Sequence, residues 1–432
     1  MLLILIVMFI GACTGFLALF LISGDLAHRS GLTGPKRFVL SAGLGMGVFA
    51  ISIKLLLIGV LIKTTKDYSP APQPMVVVNA ANLPAGYYES SYTGKWYALP
   101  IVAPTPDGNA LDPGIVHLGK RLFNEPRLSV DGKVACSSCH KLEAGGDDNT
   151  TVSTGIDGLR GDRNAPTVVN TAFLSRLFWD GRAASLEEQA KGPLVNPVEM
   201  GMASHATVEA AVRAMPGYPE EFACAFGTPD AVTIDNIAFA IASYERTLIS
   251  PNTDYDRFVR GETDALSPLQ IRGMALFAGL GCRSCHRDPT FSAAGLVKAA
   301  GVRKPFPVFA DSDYVRKYDL LADKGSTTTK DSQSAGLWRA PSLRNVANTA
   351  PYFHNGSVTT LEEAVRVMAA TQLGLRVDAT RGTETPEIEW DSKTRRLTLY
   401  RPHVLTQGDI DSLVAFLGGL SVFTSEFGLR GR

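Results

Sequence analysis

The strongest constraint on this chain is a pentapeptide that occurs twice, Cys136-Ser137-Ser138-Cys139-His140 and Cys282-Arg283-Ser284-Cys285-His286. Cys-x-x-Cys-His is the attachment signature of c-type haem. The two thiols become thioethers to the haem vinyl groups, and the following histidine is carried beneath the iron as an axial ligand. Two disulfides or a zinc site would use the cysteines but leave both trailing histidines without a role. Of the six cysteines in the chain, four are committed in this way. Only Cys13 and Cys224 remain, so there is no disulfide framework. The chain is therefore expected to wrap two covalently held haems, with His140 and His286 as iron ligands. Attachment of this kind takes place outside the bacterial cytoplasm, which puts the haem-bearing part in the periplasm.

With 432 residues there is room for two or three domains, each with its own core. The formal net charge is zero, which argues against a nucleic-acid partner. Apolar residues are concentrated near the start, in residues 2–23 and 38–62. Each run is long enough to span a bilayer as a helix, for which about 20 residues suffice. No Lys or Arg precedes the first run, which disfavours a cleaved signal peptide. Arg29, Lys36 and Arg37 outweigh Asp25 between the runs, so the positive-inside rule makes this loop cytoplasmic and both ends periplasmic. Residues 1–63 are thus expected to form two transmembrane helices in the inner membrane. Residues 64–105, rich in Pro, Tyr, Ser and Asn, read as a periplasmic tether.

The rest of the chain repeats itself. Gly119-Lys120-Arg121-Leu122-Phe123 precedes the first haem motif, and Gly273-Met274-Ala275-Leu276-Phe277 precedes the second. Each begins a helical stretch whose Leu and Phe can cover a haem edge. The expected fold is mainly α: two cytochrome c-like haem domains, residues 106–262 and 263–422, with long irregular loops and little or no sheet. Ser185 with Glu188 three residues on is a capping-box pattern. Residues 233–248 place Ile234, Ile237, Ala238, Ile241 and Leu248 on one helical face. Further helices are expected over 360–370 and 407–420. Residues 298–336 read as a polar loop, with 324–330 mobile.

Several motifs follow in a fixed order: Arg163-Asn164-Ala165-Pro166-Thr167, Phe178-Trp179-Asp180-Gly181-Arg182-Ala183 and Asn196-Pro197-Val198-Glu199-Met200-Gly201-Met202. Downstream come Pro341-Ser342-Leu343-Arg344-Asn345-Val346 and Ala350-Pro351-Tyr352-Phe353-His354-Asn355-Gly356. With the haem motifs, this set resembles the bacterial dihaem cytochrome c peroxidase family, which includes the MauG-like enzymes, over residues 110–420. The resemblance implies two haems c that divide the labour. The first, on Cys136, Cys139 and His140, reacts with hydrogen peroxide; the second, on Cys282, Cys285 and His286, receives electrons. It also implies that Met368 is the second axial ligand of the second haem, where a Met raises the potential. MauG-like enzymes carry a Tyr at that place.

By the same resemblance, Glu199 is the general acid–base that moves a proton between the peroxide oxygens, and Gln189 orients the bound peroxide. Trp179 corresponds to the tryptophan between the haems. Arg182 binds a haem propionate or braces its loop, and His354 serves structure or a propionate. Asn164 with the carbonyls of Thr349 and Pro351 matches a calcium site, a set of oxygens that suits Ca2+. The implied partners are hydrogen peroxide and a soluble cytochrome c or cupredoxin donor. The membrane spans would also allow a quinol, and the family is often dimeric. One departure stands out. Many relatives have a His in the loop before the Arg-Asn-Ala-Pro segment that blocks the first haem, whereas residues 153–162 contain none. The first haem is therefore expected to be open in the oxidised protein. Two rival readings remain: a MauG-like oxidase that modifies a protein side chain, and a dihaem electron carrier.

Overall fold

The computed structural model describes residues 96–106, 111–294, 303–326, 336–378, 388–391, 396–399 and 404–422. The two expected membrane spans lie outside these residues, as do 327–330 of the segment expected to be mobile. Among the described residues no helix is long and apolar enough to cross a membrane.

The first half runs through α1 (Pro113–Phe123), α2 (Cys136–Cys139), α3 (Leu186–Val195), α4 (His205–Ala214), α5 (Tyr218–Phe226) and α6 (Ile234–Glu245). The second half contains α7 (Asp254–Val259), α8 (Pro268–Gly279), a 3-10 turn over Cys282–Ser284, β1 (Arg303–Pro305), α9 (Asp313–Lys317) and β2 (Leu337–Arg339). It continues with α10 (Leu361–Leu373), β3 (Arg376–Asp378), β4 (Ile388–Asp391), β5 (Arg396–Leu399), β6 (Val404–Thr406) and α11 (Gln407–Gly418). Helix starts are set locally. Ser185, Ser204, Thr233, Thr253, Ser267, Thr360 and Thr406 each accept from the backbone N–H three residues on, satisfying donors that no helical carbonyl reaches.

The sequence repeat is a repeated helix crossing. α1 meets α6 at Gly119, where a Cβ would lie 1.8 Å from the Ala240 carbonyl oxygen. α8 meets α11 at Gly273, where a Cβ would lie 1.8 Å from the Ser412 carbonyl oxygen. Only glycine lets the backbones come this close. The phenylalanine one turn later then packs across each crossing, Phe123 on Tyr244 at 5.3 Å and Phe277 on Phe416 at 5.4 Å between centroids. Gly119→Ala or Gly273→Ala should push its helix pair apart and cost at least about 1–3 kcal/mol, the range for overpacking. A lowered thermal midpoint in each variant checks this, and an unchanged midpoint would show that the crossing can yield.

Each crossing carries a buried cluster. Leu118, Phe123, Tyr218, Phe222 and Ile237 belong to the first, and Tyr255, Phe258, Phe277, Phe291 and Phe416 to the second. Tyr255 and Phe258 sit on α7, so the second core begins earlier in the chain than the expected boundary at residue 263. The strands form three two-stranded ladders, β1–β2 and β4–β5 antiparallel and β3–β6 parallel. Residues 298–336, read as loop, supply β1 and α9 where they are described. A three-residue strand whose partner lies more than 30 positions away leaves no periodicity to read.

The end of the expected 64–105 tether does not stand free. Leu99 is fully buried, and its backbone N–H donates to Asp256 Oδ1 at 2.8 Å. Trp96 packs on Tyr255, Phe291 and Phe416 in the second core. The Arg283 guanidinium, inside the second haem motif, lies 3.9 Å over its ring. The segment's lack of periodicity hid this docking, which rests on scattered side chains and on backbone bonds such as Tyr97 N–H to Asp288 Oδ2 at 2.6 Å.

Candidate active site

Both attachment turns are built for covalent haem. The His140 backbone N–H donates to the Cys136 carbonyl at 2.9 Å, and that of His286 to the Cys282 carbonyl at 2.9 Å. One tight turn therefore presents two thiols and an imidazole together. All four motif cysteines are free, and burial pushes the Cys136 and Cys282 thiols up to about 12. His140 Nδ1 lies 3.2 Å from the Gly146 carbonyl oxygen. His286 Nδ1 lies 3.2 Å from Phe291 O and 3.1 Å from Pro341 O. A carbonyl on Nδ1 fixes the tautomer and leaves Nε2 as the ligating nitrogen. Burial lowers both histidine pKa values, which keeps them neutral, the form that binds iron.

The two motifs line one cavity of about 750 Å³ with a mostly apolar wall. Trp179, Arg182, Gln189, Glu199 and Met368 line it too, together with Asn164, Thr349 and Pro351. Gln189 projects from α3, whose start is held by Ser185 and by Glu188, whose Oε2 accepts from the Ala184 N–H at 2.8 Å. Glu199 follows α3 in a turn, and Asn196 Nδ2 donates to its Oε1 at 2.7 Å. Burial raises the Glu199 pKa, while the Arg182 charge and the Asn196 bond pull it down. Met368 lies on the cavity side of α10.

The histidine-free loop lies against Glu199. Ile156 N–H donates to the Glu199 carbonyl at 3.0 Å, and a Cβ on Gly155 would meet the Val198 carbonyl at 2.0 Å. A bridge between Thr154 and Arg160 closes the loop. It gives Ser153, Gly155, Gly161 and Asp162 to the cavity wall, while Ile156 is buried in the first core.

Between the motifs, Trp179 Nε1 donates to the Asn164 carbonyl at 2.8 Å. Asn164 donates its own N–H to the His354 carbonyl at 2.8 Å and its Nδ2 to Thr150 O at 2.9 Å, leaving Oδ1 open. Arg182 braces its loop: Nη1 bonds both Asp180 oxygens at 3.0 and 2.9 Å, and the guanidinium stacks 3.5 Å over Phe178.

Two buried charges were not singled out from the sequence. Arg339 is 5% exposed; its Nε donates to the Phe178 carbonyl at 2.8 Å and its backbone N–H to the Trp179 carbonyl at 2.9 Å. Among the described residues no carboxylate pairs with it, and burial lowers its pKa to about 10. The Asp180 charge acts on it but is already bonded by Arg163 and Arg182, so a guanidinium at this cavity wall suits a further anion such as a haem propionate. Glu245, on α6, lines the cavity with Oε2 buried and without a hydrogen-bond partner among the described residues. Burial pushes it from 4.5 up to about 8, with Arg246 opposing. The folded state therefore holds this proton more tightly than the unfolded chain, and stability falls as pH rises from about 4.5 to 8. Glu245→Gln should flatten that slope in denaturation measured across this window; an equally steep variant would mean that Glu245 is ionised throughout. No local pattern marks either residue, because burial of one Arg or Glu among dozens is decided by distant segments.

Comparison with known proteins agrees with this geometry. The sequence model described as "Di-haem cytochrome c peroxidase" matches residues 113–264, and one described as "RoxA-like, cytochrome c-like" matches residues 337–369. The cytochrome c551 peroxidase of Nitrosomonas europaea is 41% identical over 274 residues, covering 63% of this chain and 77% of the relative. That of Pseudomonas aeruginosa is 40% identical over 264 residues, covering 60% and 72%. A solved MauG-like protein associated with microbial copper homeostasis superposes with a TM-score of 0.60 at 30% identity, covering 75% of this chain and 94% of the other. With motifs, cavity and relatives in agreement, the chain belongs to the dihaem cytochrome c peroxidase family.

Proposed function

We propose that this protein reduces hydrogen peroxide to water, taking electrons from a c-type cytochrome or a cupredoxin. One observation carries the reading: the residues expected for peroxide chemistry and for electron entry line a single cavity between the two attachment turns. Haem iron, when bound, supplies the redox chemistry, and the chain's residues do the rest. Nε2 of His140 and of His286 would each hold one haem iron. Glu199 would take a proton from one peroxide oxygen and return it to the other, so that water can leave. Gln189 would hydrogen-bond the substrate, Met368 would offer its sulfur to the second haem, and Trp179 would pass electrons between the two haem sites. Arg339 anchors propionates.

The His-free loop supports a first site open to peroxide without prior reduction. It is also the observation that favours a MauG-like oxidase, while a Met rather than a Tyr at 368 favours the peroxidase. The finer assignments are part of the same proposal. The haem domains are residues 106–262 and 263–422, with α7 of the first lending Tyr255 and Phe258 to the second core, and calcium would sit at Asn164 Oδ1 with the Thr349 and Pro351 carbonyls. Residues 1–63 anchor the protein in the inner membrane with its haems in the periplasm.

The test is peroxide turnover by the oxidised protein, without pre-reduction, supplied in parallel with reduced cytochrome c and with quinol. Turnover with cytochrome c supports the reading. Turnover with quinol alone replaces the donor, and oxidation of an added protein without turnover of either donor favours the oxidase.

A further inference from the structure

Trp338 has no part in the scheme above, yet it is tied to Trp179 through His354 and through the backbone of β2. We propose that Trp338, stacked on His354, is a second oxidisable indole that shares with Trp179 the oxidising equivalent supplied by peroxide. The inference rests on the peroxidase reading.

The geometry is a three-ring array. Trp338 is 5% exposed and His354 2%. Their rings stack at 4.3 Å between centroids and 22° between planes. His354 in turn stands edge-on to Trp179 at 6.5 Å and 76°, so one imidazole spans both indoles. A bonded route runs alongside: the amide joining Trp338 to Arg339 donates its N–H to the Trp179 carbonyl at 2.9 Å. All three rings line the cavity shared by the two haem motifs. The array is held rigidly. Gly325, at φ +76°, lies so close to the indole that a Cβ would sit 3.2 Å from Trp338 Cε2.

The surroundings suit a transient positive charge. Arg163 lies 5.1 Å from the Trp338 ring, but its charge is matched by Asp180 at 2.9 Å and Asp323 at 2.6 Å. In the step itself one electron leaves the Trp338 π system for the oxidised site, and no bond forms or breaks. The Trp338 Nε1–H has no acceptor among the described residues, and the Trp179 Nε1–H faces a carbonyl, which is not a base. Both indoles keep their protons, so the electron moves alone and is later restored by the donor.

The experiment adds one equivalent of peroxide, without donor, to oxidised full-length haem-loaded protein grown on indole-deuterated tryptophan. Freeze-quench electron paramagnetic resonance then compares wild type with Trp338→Phe, Trp179→Phe and the double variant. Loss of one deuterium-sensitive component and faster decay in Trp338→Phe, with a residual signal in Trp179→Phe that the double variant lacks, are expected. Should Trp338→Phe fail to load haem, Trp338→Tyr serves, and it should replace that component by a deuterium-insensitive tyrosyl signal. A wild-type spectrum and decay in the Trp338 variant overturns this inference alone. A wild type that peroxide does not oxidise overturns the reading of a first site open without prior reduction, and this inference with it.

Discussion

Glu199→Gln lowers peroxide turnover by roughly two to four orders of magnitude, the usual contribution of a positioned acid–base group. Gln keeps the size of the side chain and a hydrogen-bonding oxygen but cannot take a proton. The variant should load both haems and accept electrons as wild type does, because the backbone hydrogen bonds that shape the attachment turns do not involve the Glu199 side chain. The pH profile adds a second reading. Burial raises the Glu199 pKa above the ordinary carboxylate range, and only the ionised form can act as base. Turnover should therefore climb with pH through that raised value, and the acid limb should vanish in the variant. Steady-state rates across pH check both points, and a variant with unimpaired turnover removes Glu199 from the chemistry.

Asp256→Asn destabilises the second half by about 3–5 kcal/mol, the cost of stranding one partner of a buried ion pair. Arg344 and Asp256 side chains are both 0% exposed, joined at 2.7 and 2.8 Å. Asp256 also accepts from the Leu99 N–H and the Thr253 hydroxyl, while Arg344 Nε donates to the Pro289 carbonyl at 2.6 Å. One pair thus ties the docked N-terminal segment, the start of α7 and the chain just after the second haem motif. Asn cannot balance the guanidinium, so a buried charge remains. Replacing both residues by apolar side chains of similar volume should cost less than the single change. Denaturant unfolding of the three proteins decides it; a single variant within 1 kcal/mol of wild type, well below that range, would mean that water reaches the pair.

Arg344 also shows where a sequence reading stops. It was legible as part of the Pro341-Ser342-Leu343-Arg344-Asn345-Val346 motif, but not as the partner of Asp256, 88 positions away. Legibility follows the range of the interaction. The attachment turns, the caps at Ser185, Thr233 and Thr360, and the glycine–phenylalanine repeat before each haem motif act within a few residues, so their spacing is visible in the chain. Gln189, Glu199, Trp179 and Met368 were reached through resemblance, since nothing local separates them from ordinary polar or core residues. The docking of Leu99 and Trp96, the buried charge of Arg339 and the stack of Trp338 on His354 were not reached at all. Each depends on which distant segments exclude water from it. The sequence by itself determined that this chain holds two c-type haems in two related helical shells. Only the tertiary structure decided what lies between them, because burial and ring contact are properties of packed segments rather than of neighbouring residues.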